Sequence, residues 1–82
     1  MKRILDNNAV VNITGTQIKK YRKLAHLSQR QLSEKLELDA VYTCRGSISR
    51  IESGQRAVTD IELFAIAKVL GISVEMLFSK DE

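Results

Sequence analysis

Helix-start signals recur along the 82-residue chain and constrain its fold more than any other feature. The segments Ser28–Gln31 and Thr59–Glu62 each place a hydroxyl three residues before a Gln or Glu. This spacing is typical of a capping box, in which both side chains bond to backbone N–H groups that a helix start leaves free. Thr14–Gln17 is a weaker third example, and Ser73 can begin a further helix. The chain is therefore predicted to be all-α.

Helix-stop signals complete the division of the chain. Gly54 and Gly71 each follow an apolar stretch, where a glycine in the left-handed conformation can end a helix. Together the signals predict five helices, over about 15–26, 28–37, 44–53, 60–70 and 73–79. Residues 14–79 then form one compact domain. Residues 1–13 are expected to form an N-terminal arm or a short strand, and residues 80–82 an acidic C-terminal end.

The content of reactive side chains excludes several classes of function. The chain has one cysteine, Cys44, and one histidine, His26, so an internal disulfide or a Cys/His metal cluster is not expected. No nucleophile–base pair or paired-carboxylate arrangement is visible, and we predict a protein that is not an enzyme and holds no cofactor or metal. No apolar run approaches the ~18–20 residues of a membrane span, and no leader peptide opens the chain. These features indicate a cytoplasmic protein with no membrane partner.

The charge is divided unevenly along the chain. Residues 1–59 carry 11 basic and 5 acidic side chains, whereas residues 60–82 carry 2 basic and 5 acidic ones. The net charges of the two parts are +6 and −3, in agreement with +3 for the whole chain. A basic surface suits a polyanion such as nucleic acid. Simple solvation explains the same charge equally well, so the charge alone does not decide between them.

Apolar residues at helical spacing predict how deeply each helix is buried. The fourth helix is apolar almost all round, from Ile61 to Leu70, and is expected to be the central, most buried helix. Cys44 begins the third helix, where it is expected to be a buried structural residue rather than a redox switch.

Two charged residues interrupt these apolar faces. Arg22 lies four residues after Ile18 on helix one, and Glu52 lies four residues after Ile48 on helix three. A charge directed at the core requires a partner, because an unpaired buried charge is strongly destabilising. We expect Arg22 and Glu52 to form a structural ion pair that fixes helix three against helix one. The alternative is that both side chains reach solvent.

The third helix has an outer side of small and cationic residues. Such residues suit a DNA major groove, because Arg pairs with guanine and Ser bonds to several base edges. The predicted base contacts are Arg45, Gly46, Ser47, Ser49 and Arg50. The predicted phosphate contacts lie on the same helix, in the turn after it and at the start of helix two: Ser53, Gln55, Arg56, Gln29 and Arg30. Each residue alone is typical of an ordinary surface, and only the joint arrangement indicates DNA binding.

The stretch from Ile18 to Phe78 resembles the Xre-type helix-turn-helix of Cro and phage-repressor-like transcription regulators. The resemblance covers about three-quarters of the chain and is carried by Leu27-Ser28-Gln29 with Leu32, by Ser47–Gly54, and by Leu70–Val74 with Leu77. It implies a five-helix, lambda-repressor-like domain in which helix three enters the major groove. It also implies that Gln29 and Gln55-Arg56 meet phosphates, that the outer residues of helix three face bases, and that Arg22 pairs with Glu52.

One segment departs from the family pattern. Twelve positions separate Leu36 from Ile48, several more than the pattern allows, and the extra residues lie within 37–44. Either helix two is extended or the turn is an enlarged loop. Its apolar residues indicate a packed loop: Leu38, Val41 and Tyr42. It either contacts phosphate, through Tyr42 or Thr43, or plays no part in binding.

The leading interpretation is a sequence-specific regulator of transcription that binds double-stranded DNA as a repressor. Paired operator half-sites predict a homodimer, with its contact supplied by either the acidic end or residues 1–13. One alternative is the antitoxin of a toxin–antitoxin pair, which also binds its toxin as a protein partner; no long tail for wrapping a toxin is visible. A second is a protein-interaction module without DNA binding, which predicts an apolar or acidic outer side on helix three.

Overall fold

A computed structural model describes residues 11–79 and contains five α-helices in that range. They are α1 (Gly15–Leu24), α2 (Gln29–Leu38), α3 (Arg45–Glu52), α4 (Asp60–Leu70) and α5 (Val74–Leu77). The predicted all-α, five-helix architecture is confirmed, with helix ends displaced by one or two residues. Within the predicted arm, residues 11–13 form no strand, while residues 1–10 and the acidic end at 80–82 lie outside the described range.

The capping boxes of α2 and α4 are both present. The Ser28 hydroxyl accepts from the Gln31 N–H at 3.0 Å, and the Gln31 side chain accepts from the Ser28 N–H at 2.8 Å. The Thr59 and Glu62 pair is formed in the same way, at 3.1 and 3.0 Å. Gly54 ends the turn after α3 with φ 80°, and Gly71 ends α4 with φ 71°. The predicted capping boxes of α2 and α4 and the predicted glycine stops are therefore confirmed.

The start of α1 differs from its prediction. Thr14 makes no side-chain cap, because its backbone is already near-helical (φ −100°, ψ −10°) rather than extended as a capping residue requires. Instead the Asn12 side-chain oxygen accepts from the N–H groups of Thr14 and Gly15, at 3.1 and 2.7 Å. The cap therefore comes from two residues upstream of the expected position.

The core is made of aliphatic side chains from all five helices. Its fully buried large members are Ile18, Leu32, Leu36, Ile48, Ile51, Ile66 and Leu77. Helix α4 has four buried residues, as many as any other helix, but its apolar residues are not buried on every side. Ile61 and Phe64 of α4 are 68% and 66% exposed, because α1, α2 and α5 cover only the side of α4 that carries Ala65, Ile66 and Ala67.

The insertion extends α2 slightly and then forms a loop over residues 39–44. Leu38 and Tyr42 are 85% and 77% exposed, so the expectation that they pack is wrong; only Val41 packs against the core. Thr43 is buried, so of the two residues considered for a phosphate contact only Tyr42 lies at the surface. Cys44 is exposed, contrary to expectation, because it is the N-cap residue of α3 and lies at the surface with that helix end.

Candidate nucleic-acid interface

The outer side of α3 is formed as predicted. Ile48, Ile51 and Glu52 are buried, and the small and cationic residues lie on the opposite side of the helix. Ser47 is partly exposed and the rest are exposed: Arg45, Gly46, Ser49 and Arg50. The structure therefore brings all five predicted base contacts onto one accessible face.

This face is partly ordered by its own hydrogen bonds. The Arg50 guanidinium donates to the Ser47 hydroxyl at 3.3 Å, and the Cys44 thiol donates to the same hydroxyl at 3.4 Å. A Cβ added at Gly46 would meet nothing closer than Arg50 Nη1 at 3.9 Å, so Gly46 leaves the surface open without being sterically required by the fold. Hydrogen bonds that the Ser47 hydroxyl and the backbone near it donate to the thiolate lower the pKa of Cys44.

A buried ion pair holds α3 against α1. Arg22 Nε lies 2.6 Å from Glu52 Oε2, and Arg22 Nη2 donates to Glu52 Oε1 at 3.0 Å. Arg22 Nη1 also donates to the Leu27 carbonyl at 2.7 Å. The predicted pairing of Arg22 with Glu52 is therefore present, and it also ties both helices to the turn before α2.

The start of α2 presents two of the predicted phosphate contacts. Gln29 is the first residue of α2 and is half-buried, and its amide donates to Glu52 Oε1 at 3.1 Å. The buried ion pair thus also orients the side chain of Gln29. Arg30 is exposed beside it and pairs loosely with Glu34 at 3.4 Å, an arrangement that solvent screens strongly.

The segment after α3 holds the other three predicted phosphate contacts: Ser53, Gln55 and Arg56. Ser53 and Gln55 are exposed, and the Ser53 hydroxyl donates to the Arg50 carbonyl at 3.1 Å. The Arg56 guanidinium is turned toward α4, and its contact with phosphate stays a prediction. Its Nη1 and Nη2 donate to Glu62 Oε1 and Oε2 at 3.0 and 2.9 Å. The charge of Arg56 is therefore largely matched within the protein.

Glu62 is held in its charged form. The paired Arg56 guanidinium is the main cause that lowers the pKa of Glu62 to about 2, with further contributions from the Thr59 N–H and the Thr43 hydroxyl. Burial acts in the opposite direction and is outweighed. The same pairing raises the pKa of Arg56.

Asn12, which lies in the predicted N-terminal arm or strand, has a structural role that the sequence did not predict. Its amide nitrogen donates to the carbonyls of Ile51 and Arg56 at 3.0 and 2.8 Å, while its oxygen caps α1. One side chain thus joins the start of α1 to the end of α3. The available signal was an Asn two residues before Thr14-Gly15, a spacing typical of side-chain turns onto the backbone.

A family model and a solved structure both match this chain. A family model described as helix-turn-helix matches residues 18–77. The chain belongs to the Xre-type helix-turn-helix family. Membership of this family makes it a DNA-binding regulator of transcription, as the sequence predicts.

The structural match agrees with the family assignment. This chain is similar in structure to SinR, the master regulator for biofilm formation, in its crystal structure with DNA. The two sequences are 28% identical, the match covers 80% of this chain and 98% of the SinR chain, and the TM-score is 0.70. A sequence search of curated proteins gives no significant match. Within residues 11–79 of this helix-turn-helix protein, no helix is long and apolar enough to cross a membrane, and no three His, Cys, Asp or Glu side chains are placed to share a metal.

Proposed function

We propose that this helix-turn-helix protein is a repressor that recognises a specific duplex sequence by placing α3 in the major groove. The observation that carries the proposal is the exposed side of α3, which bears two arginines, two serines and a glycine and no bulky aliphatic residue. Arg50 and Arg45 supply bidentate donors for guanine, and Ser47 and Ser49 suit several base edges. The similar protein SinR has been solved in complex with DNA, which supports DNA as the ligand of this chain.

The phosphate contacts in this proposal flank the inserted helix. Gln29 and Arg30 lie at the start of α2, where free N–H groups and the helix dipole favour an anion. Ser53 and Gln55 lie at the other end of α3. Contacts at both ends would fix the register of α3 along the groove without carrying sequence information.

Repression by such a small domain would follow from occupancy of the operator, and two copies would occupy two half-sites. Half-sites on the same face of B-DNA lie about one helical turn apart, so two copies related by a two-fold axis match a palindromic operator. The proposed protein is thus a cytoplasmic homodimer, and its activity would be regulated through a protein partner.

Selection of bound sequences from a random duplex pool tests the proposal directly. The selected duplex should contain two related half-sites, and binding should weaken steeply as salt rises, because each phosphate contact releases counterions. Arg50→Ala should weaken binding to the selected duplex by about 1–3 kcal/mol and relax the preference at one base position. Lys68→Ala, an exposed cation on α4, is the matched control and should change neither property. A flat response to salt would refute DNA binding and favour a protein-interaction module.

A further inference from the structure

One carboxylate joins the two segments that flank α3. The Thr43 hydroxyl donates to Glu62 Oε2 at 2.8 Å, and Thr43 directly precedes Cys44, the N-cap residue of α3. Arg56, four residues beyond the end of α3, donates to both oxygens of the same carboxylate at 3.0 and 2.9 Å. Both connections to α3 therefore converge on one side chain of α4.

Capping alone does not require this arrangement. Gln31 closes the equivalent capping box of α2 with a neutral, exposed side chain. Glu62 closes the box of α4 while it is buried, charged and bonded to two further side chains. Burying a carboxylate is costly unless it is paired and hydrogen-bonded. The extra contacts of Glu62 therefore serve something besides the start of α4.

We propose that Glu62 is a positioning residue for the recognition helix, which fixes both ends of α3 relative to α4 through Thr43 and Arg56. The inference deepens the proposed function and rests on it. It assigns a role to the end of the 37–44 insertion, which is to bring Thr43 to Glu62. It also makes Arg56 a structural link to α4 instead of a phosphate contact.

The expected consequence is a loss of specificity more than of general affinity. Bidentate hydrogen bonds to base edges depend on short distances and direction, so a small displacement of α3 disrupts them. Phosphate attraction is long-ranged and tolerates the same displacement. A loosened α3 should therefore bind random duplex almost as before while it discriminates less between sequences.

Glu62→Gln is the decisive variant, because Gln keeps the capping geometry that Gln31 shows in α2 and removes the charge that holds Arg56. Binding is measured for the selected duplex and for random duplex at several salt concentrations, well below the melting temperature. We expect affinity for the selected duplex to fall about tenfold or more, the scale of one bidentate base contact. Affinity for random duplex should not fall. Ile66→Val, a core change that only destabilises, is the control and should leave the ratio of the two affinities unchanged.

Variants of the two partners separate positioning from direct contact. Arg56→Lys keeps the charge but cannot bond to both oxygens, so it should lose specificity as Arg56→Gln does. Neither should change the dependence of binding on salt. Thr43→Val should lose specificity, and Thr43→Ser, which restores the hydroxyl, should recover it. Should a Glu62 variant fail to fold, the Thr43 pair still tests the proposal.

Three outcomes would overturn the inference. The first is a Glu62→Gln variant that discriminates as well as the wild type, and the second is an equal loss on both duplexes. The third is an Arg56→Gln variant in which the plot of log affinity against log salt becomes less steep by about 0.9, while Arg56→Lys keeps the wild-type steepness. That result would identify Arg56 as a phosphate contact. A wild-type chain that selects no duplex refutes the proposed function instead. Amide hydrogen exchange then tests the positioning role of Glu62 without DNA, because the amides of α3 should exchange faster in Glu62→Gln than in Ile66→Val.

Discussion

Removing Arg22 should be one of the most damaging single substitutions in this protein. Arg22→Ala deletes two hydrogen bonds to Glu52 and one to the Leu27 carbonyl. Glu52 would then remain buried with Gln29 as its remaining side-chain donor. Breaking a buried ion pair from one side costs about 3–5 kcal/mol, because an uncompensated charge is left behind. A domain of 82 residues has about 4–12 kcal/mol of stability in all, so the variant should be marginally folded.

Urea unfolding at 25 °C, followed by far-ultraviolet circular dichroism, measures this loss. Lys23→Ala, an exposed neighbour on α1, is the matched control and should change stability by less than about 0.5 kcal/mol. The double variant Arg22→Met with Glu52→Leu should be more stable than Arg22→Ala, since no charge stays buried. The reasoning is refuted if Arg22→Ala lowers the free energy of unfolding by less than about 1 kcal/mol. It is also refuted if the double variant loses as much stability as the single variants Arg22→Met and Glu52→Leu lose in sum.

Three further predictions follow from close contacts and titration. Gly15→Ala would drive a Cβ into the Ile51 carbonyl oxygen, so it should destabilise by about 1–3 kcal/mol in urea melts, whereas Gly46→Ala, whose Cβ would make only an ordinary contact with the flexible Arg50 side chain, should not. Asn12→Ala removes side-chain bonds to four backbone groups and should cost about 2–4 kcal/mol; an unchanged midpoint would show that water replaces them. The pKa of Glu62 lies near 2, below its usual 4.5, so its contribution should be present above about pH 5 and fall as the pH drops toward 2. The stability difference between wild type and Glu62→Gln should shrink over that range, and a constant difference would contradict the assignment.

The sequence predicted those features that depend on local or periodic patterns. The capping boxes of α2 and α4 are four-residue patterns, and each formed where it was expected. The pairing of Arg22 with Glu52 could be inferred because each interrupts an apolar helix face and a buried charge requires a partner. The outer side of α3, with its small residues, could be identified because the helical period places those residues opposite Ile48 and Ile51.

The features that were missed are side-chain contacts between separate elements, which no local or periodic pattern predicts. Arg56 is only six residues from Glu62, but no motif indicates that it bonds to Glu62 together with Thr43, and no motif at Asn12 indicates a bond to the end of α3. Helix α4 is apolar on several sides, so its sequence could not say which side the other helices cover. The exposure of Ile61 and Phe64 was therefore not predicted.

The conflict between recognition and stability explains why polar contacts surround α3. The helix has eight residues, its N-cap residue Cys44 makes no side-chain cap, and only Ile48 and Ile51 add apolar bulk to the core. A helix of two turns is marginal by itself, and tertiary contacts must stabilise it. Its outer side cannot contribute those contacts if it is to fit a groove.

The contacts come instead from three other parts of the chain, which lie away from the outer side of α3. Arg22 of α1 binds Glu52, Asn12 binds the last turn of α3, and Glu62 of α4 binds the segments before and after it. The rigidity of the recognition helix is thus set by residues that would touch no base. Substitutions at these positions should therefore weaken discrimination between sequences while leaving the dependence of binding on salt intact. Substitution of Arg30 should instead weaken the dependence of binding on salt and leave the sequence preference intact, whereas substitution of the neutral Gln29 or Gln55 should weaken binding to all sequences alike.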